Sequence, residues 1–205
     1  MNPAIERVSG PPGSGVVPTV AFKLCLAGDY GVGKTSLVRR FVSDTFSDTY
    51  IATLGAKVSS KQFMVPDPLR GGAPREVRAT VWDIMGQRGI LDLLSDAFFL
   101  HAGGILYIAD GTRPNTLHSL GEWAKIITAI AGDVPGLVLV NKMDRGDQVQ
   151  TTPPEIEQVC RERGWTWIPT SAKTGAGVQD AFFRIGAAYL RDLAAGKSRP
   201  PAPPA

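Results

Sequence analysis

The sequence predicts an α/β fold: a mostly parallel six-stranded sheet with one antiparallel edge strand and helices on both faces. Three observations predict it. Short apolar runs alternate with amphipathic stretches along nearly the whole chain. The first apolar run ends in Gly28-Asp29-Tyr30-Gly31-Val32-Gly33-Lys34-Thr35, a complete G-x-x-x-x-G-K-[ST] pattern, and a helical pattern follows it. Two polar clusters, at 141–144 and 171–173, directly follow later apolar runs. They fall at the carboxyl ends of strands, where open sheets of this kind hold ligands.

Taken in order, strand-like runs fall at 20–27, 56–65, 76–82, 103–110, 136–141 and 165–169. Helical patterns lie at 34–43, 90–101, 115–131, 154–163 and 177–194. In the last of these, Val178, Phe182, Ile185, Ala188 and Tyr189 share one face. The second and third strands form the antiparallel hairpin, joined by a long loop over 65–75 marked by proline and glycine. Gly121 sits inside the third helical pattern without a functional reading.

A chain of 205 residues fits one domain, here 20–195. Residues 1–19 are rich in Gly, Pro and Ser, and 196–205 are proline-rich, so both read as flexible tails. The 22 basic and 19 acidic residues are dispersed, which argues against nucleic acid as a main partner. Cys25 and Cys160 read as buried small apolar residues in a reducing, cytoplasmic setting. His101 and His118 lack neighbours at metal-ligand spacing. No stretch is long and apolar enough to span a bilayer, and no signal peptide is evident. The tail lacks cysteine and Asn2 follows Met1, so no stable lipid anchor is expected.

The glycine-rich loop at 28–35 carries phosphate chemistry. Its glycines let successive N–H groups face one anion, at the positive end of the following helix. Gly31, Val32, Gly33, Lys34, Thr35 and Ser36 are the expected contacts. Lys34 is expected to reach the β/γ-phosphates, and the Thr35 hydroxyl to hold Mg²⁺. Asn141-Lys142-Met143-Asp144 then selects the base. Asp144 can accept from the N1–H and 2-amino groups of guanine, a donor pair that adenine lacks. Lys142 has an apolar stem suited to covering the purine. In Ser171-Ala172-Lys173, the Ala172 N–H is placed to donate to the guanine O6.

With these motifs in this order, the chain resembles the Ras-like small GTPases, and within them the Rab-type branch, from about residue 20 to 193. The remaining motifs are Thr53-Leu54-Gly55, Trp82-Asp83-Ile84-Met85-Gly86-Gln87 and Asp110-Gly111-Thr112. The resemblance implies a P-loop small G domain that binds GTP and GDP with Mg²⁺, hydrolyses GTP and switches through two loops. By that resemblance Thr53 binds Mg²⁺ and the γ-phosphate, and Asp83 holds a Mg²⁺-bound water. Gly86 senses the γ-phosphate, Gln87 orients the attacking water, Phe46 stacks on guanine, and Tyr50 closes over the phosphates. It also implies protein effectors, an exchange factor and a GTPase-activating protein. No arginine within the motifs acts in cis, Arg88 being the nearest, so slow intrinsic turnover is expected.

Two departures from the family pattern keep an alternative open. Tyr30 stands where relatives carry a small residue, either crowding the space above the γ-phosphate or turned to solvent. Ile84-Met85 replace the usual Thr-Ala, with Met85 read chiefly as a core filler. If these distort the site, the chain is a guanine-nucleotide-binding interaction module with little or no hydrolysis.

Overall fold

β1, Val20–Ala27, is the axis of the sheet in the computed structural model, which describes residues 18–47, 55–86 and 96–197. It pairs in parallel with β3 (Pro74–Ile84) on one side and β4 (Gly104–Asp110) on the other. β5 (Gly136–Asn141) and β6 (Thr166–Pro169) continue the parallel array. β2 (Ala56–Pro66) runs antiparallel to β3 at the opposite edge, giving the order β2-β3-β1-β4-β5-β6. Burial explains the residues used. Every residue of the central β4 is buried, so its sequence is almost continuously apolar. The edge strand β2 instead mixes buried and exposed positions.

Helices α1 (Lys34–Ser43) and α5 (Val178–Ala194) cover one face. Phe41 of α1 stacks on Phe182 of α5 with ring centroids 3.7 Å apart, and Tyr189 stacks on Phe22 of β1. The opposite face carries α2 (Asn115–His118), α3 (Leu120–Ala131) and α4 (Pro153–Arg161). Their Leu117, Leu120, Trp123, Ile127, Ile156 and Cys160 share a second core with β4 and β5. Cys25 and Cys160 are free and buried, as expected. Among the described residues no helix is long and apolar enough to cross a membrane.

Each of the six expected strands forms, and two details differ. The helix expected over 115–131 is divided at Ser119, whose carbonyl accepts from the Glu122 N–H three residues on as well as from the Trp123 N–H. The hairpin ladder reaches further than expected, to Pro66 opposite Pro74, leaving a connection of 67–73. Asp67 makes this possible. Its fully buried carboxylate accepts from the Leu69 N–H and from Arg75 Nη1, while its carbonyl accepts from Arg70 and Gly72. A Cβ at Gly121 would lie 2.9 Å from the end of the flexible Arg163 side chain, which can swing aside. Of the helix expected at 90–101, residues 96–99 are helical and the part before 96 lies outside the described residues.

Candidate nucleotide site

The carboxyl ends of the parallel strands bring loops 28–33, 83–86, 110–113, 141–144 and 171–173 to one edge of the sheet. The glycine-rich loop is seated by close approach. Gly28 has φ +143°, and a Cβ there would fall 2.2 Å from the Ile108 carbonyl oxygen, so only glycine fits. Each carbonyl from Gly28 to Gly33 accepts a hydrogen bond. Lys34 Nζ donates to Gly28 O and Asp29 O, at 2.6 and 3.0 Å. Arg113 Nη2 donates to Tyr30 O at 3.0 Å, Lys142 Nζ to Gly31 O at 2.8 Å, and Asn141 Nδ2 to Val32 O at 2.9 Å. The Leu37 N–H donates to Gly33 O in the first turn of α1.

Lys34 is buried, and desolvation pulls its ammonium down from 10.5 to about 8, against the opposing pull of Asp83 and Asp29. The Thr35 hydroxyl donates to Asp83 Oδ2 at 2.5 Å, joining the start of α1 to the end of β3. Gly86 lies directly on the glycine-rich loop: a Cβ there would fall 2.5 Å from Tyr30 N. This backbone contact brings the Asp83–Gly86 motif against the 28–35 loop.

The two base-reading clusters meet through Asn141. Besides reaching Val32 O, Asn141 accepts from the Ala172 N–H at its Oδ1, at 3.1 Å. The N–H expected to face a base is thus engaged by the neighbouring motif. Ser171 Oγ donates to Asp144 Oδ1 at 2.6 Å. Lys142 adopts φ +66°, rare for a residue with a side chain, and its ammonium bonds both Gly31 O and Asp110 Oδ2.

Phosphate loop, Asp83–Gly86 motif and base-reading clusters thus form one bonded edge. The Ras family profile matches residues 23–191 of this chain. The chain belongs to the Ras family. This Ras-family protein is 32% identical over 173 residues to Ras-related protein Rab-8B of Homo sapiens, covering 84% of this chain and 80% of that protein. It is 29% identical over 186 residues to Ras-related protein Rab-32 of Homo sapiens, with the same shares of each chain covered. Rab-8B of Pongo abelii is 31% identical over 173 residues. The protein is accordingly a small GTPase of Rab-like kind, with the six-stranded fold its sequence predicts.

The remaining expected residues of this Ras-family chain divide into three groups. Tyr50, Thr53, Gln87 and Arg88 lie outside the described residues. Phe46 is half-buried against the α1–α5 core, Ser36 is partly covered in α1, and Lys173 is exposed. Of the two departures, Met85 is buried and Tyr30 is 46% exposed. Sequence reading missed several supports. Arg40 of α1 donates to Ala172 O and Lys173 O, bracing the last base-reading cluster. Asp29 accepts from Ser119 Oγ at 2.8 Å and from Trp123 Nε1 at 2.9 Å, tying the loop to α3. Asp110 gathers Thr112, Arg113 and Lys142. Of these, only Asp110 carried a motif signal.

Proposed function

We propose that this Ras-family protein binds GTP and GDP at this edge, hydrolyses GTP to GDP and phosphate with Mg²⁺, and acts as a two-loop switch. The observation that carries the reading is Asn141, whose amide joins the glycine-rich loop at Val32 to the 171–173 cluster at Ala172. One side chain therefore holds the expected phosphate and base subsites in fixed relation. The domain is 20–195.

In this reading the inward N–H groups of Gly31 to Ser36 and the Lys34 ammonium bind the phosphates. Asp144 accepts from guanine, Lys142 covers the purine with its stem, and Ser171, Ala172 and Lys173 close the base pocket. Phe46 flanks the base and Tyr50 the phosphates. Thr35 and Asp83 place a hydroxyl and a carboxylate in direct contact, a hard-oxygen donor pair of the kind Mg²⁺ takes. Thr35 and Thr53 would hold the ion directly and Asp83 through water, and the chemistry supplied there is neutralisation of charge on the phosphate oxygens. Gln87 orients the attacking water, while Thr53 and Gly86 are held by the γ-phosphate and released once it leaves. The released loops change the surface that effectors, an exchange factor and an activating protein read. With no arginine of the motifs acting in cis, turnover is slow until a partner supplies one.

Competition binding tests the base assignment. ATP should fail to displace GDP, and Asp144→Ala should weaken GDP binding by at least about tenfold, since a guanine donor pair loses its charged acceptor. Equal competition by ATP and GTP would overturn the guanine reading.

A further inference from the structure

Arg113 stands outside every motif that the nucleotide reading uses, yet it touches the phosphate loop. It follows Asp110-Gly111-Thr112, and its Nη2 donates to the Tyr30 carbonyl at 3.0 Å, across 83 positions of sequence. A surface arginine would ordinarily be mobile, and this side chain is 41% exposed. Its other contact fixes it: Nε donates at 2.9 Å to Asp110 Oδ2, on a side chain only 1% exposed. The guanidinium is a rigid planar fork, so anchoring Nε determines where Nη2 points. The Asp110 carboxylate is itself held by the Thr112 N–H and hydroxyl at Oδ1 and by Lys142 at Oδ2. Those bonds outweigh the effect of burial and keep the Asp110 carboxyl below its ordinary range, hence ionised.

The consequence lies in one peptide plane. A trans peptide points its carbonyl and its N–H in opposite directions. With Tyr30 O turned outward to Arg113, the N–H of Gly31 is turned the other way, into the curl of the loop. Lys142 does the same for the next peptide through Gly31 O, and it draws on the same Asp110 oxygen. Gly31 has φ +74°, and a Cβ on it would lie 3.6 Å from Arg113 Nη2. Glycine at 31 leaves this peptide easy to rotate, which is why an outside anchor has an effect.

We infer that Arg113, anchored by Asp110, is a positioning residue of the phosphate loop that fixes the 30–31 peptide with its N–H facing the bound anion. The inference rests on the nucleotide reading and deepens it. It adds a second cation beside Lys142, both drawing on Asp110, that shapes the loop from outside without touching the ligand.

The test compares wild type, Arg113→Lys and Arg113→Ala as full chains, by GDP affinity and by the ³¹P spectrum of bound GDP. Arg113→Ala should weaken GDP binding about tenfold, the lower range for loss of a charge-assisted hydrogen bond at a partly exposed site. It should also move the ³¹P resonances of bound GDP while leaving thermal unfolding nearly in place. Arg113→Lys, which keeps the charge beside Asp110 but not the fork, should fall between. Unchanged affinity with an unchanged ³¹P spectrum would overturn the inference. So would weaker binding that merely tracks a lower Tm with the spectrum unmoved, since that is a structural brace. A wild-type protein that takes up no GDP would overturn the nucleotide reading instead. Arg113 is then decided by crystal structures of wild type and Arg113→Ala grown without nucleotide: a reoriented 30–31 peptide supports it, and an unchanged one overturns it.

Discussion

Lys34 shows how one residue couples stability and binding in opposite senses. Burial lowers its ammonium from 10.5 to about 8. Below about 8 the folded and unfolded chains are both protonated there, and the folded state bears the full desolvation penalty. Between about 8 and 10.5 the unfolded chain holds more protons, so the stability of the nucleotide-free protein rises with pH. A bound polyphosphate works the other way, because it favours the charged ammonium. GDP binding near pH 8.5 should therefore take up protons, and affinity should fall as pH rises further. Titration calorimetry in two buffers of different ionisation enthalpy checks this, and equal heats in both would contradict it. The place of Lys34 at the end of the glycine-rich loop was legible from the G-K-T spacing. The bracing contacts of Arg40, Arg113 and Trp123 were not, because each acts across more than 80 positions of sequence on a backbone or loop partner.

At the scale of elements, the β2–β3 hairpin separates what pattern reveals from what single contacts decide. Alternating burial along β2 and a continuous apolar β4 made the strands readable. The hairpin's end was not, because a proline- and glycine-rich stretch reads as loop wherever a buried carboxylate does not hold it. Asp67 is that carboxylate, paired with Arg75 Nη1 at 3.1 Å. Asp67→Ala should destabilise the protein by about 3 kcal/mol, since it strands a mostly buried guanidinium and the Leu69 N–H. Urea unfolding measures it, and a loss below about 1 kcal/mol would contradict the keystone role. GDP affinity should not change, because this turn lies at the amino end of β3, opposite the nucleotide edge. The break at Ser119 was likewise unreadable from periodicity. Leu117, Leu120, Trp123 and Ile127 keep one apolar face through it, so the pattern passes over the discontinuity.

Across the whole molecule, the parallel sheet gathers the described motifs at one edge, where the sequence pattern had set them at strand ends. What the sequence conveyed less well is how the motifs hold one another. Asn141 bonds both Val32 and Ala172, Asp110 serves both Lys142 and Arg113, and Gly86 rests on the backbone at 29–30. In the proposed reading, a ligand at the phosphate loop would bear on the Asp83–Gly86 motif through this backbone contact. That contact is present with Met85 buried and Tyr30 exposed. The central claim is therefore turnover as well as binding. It is tested most directly by single-turnover hydrolysis of GTP with Mg²⁺, wild type beside Gln87→Leu, following GDP by chromatography. The account predicts slow conversion in the wild type that the substitution abolishes. Tight GTP binding with no conversion, and none when an activating protein is added, would contradict it and leave a nucleotide-dependent interaction module.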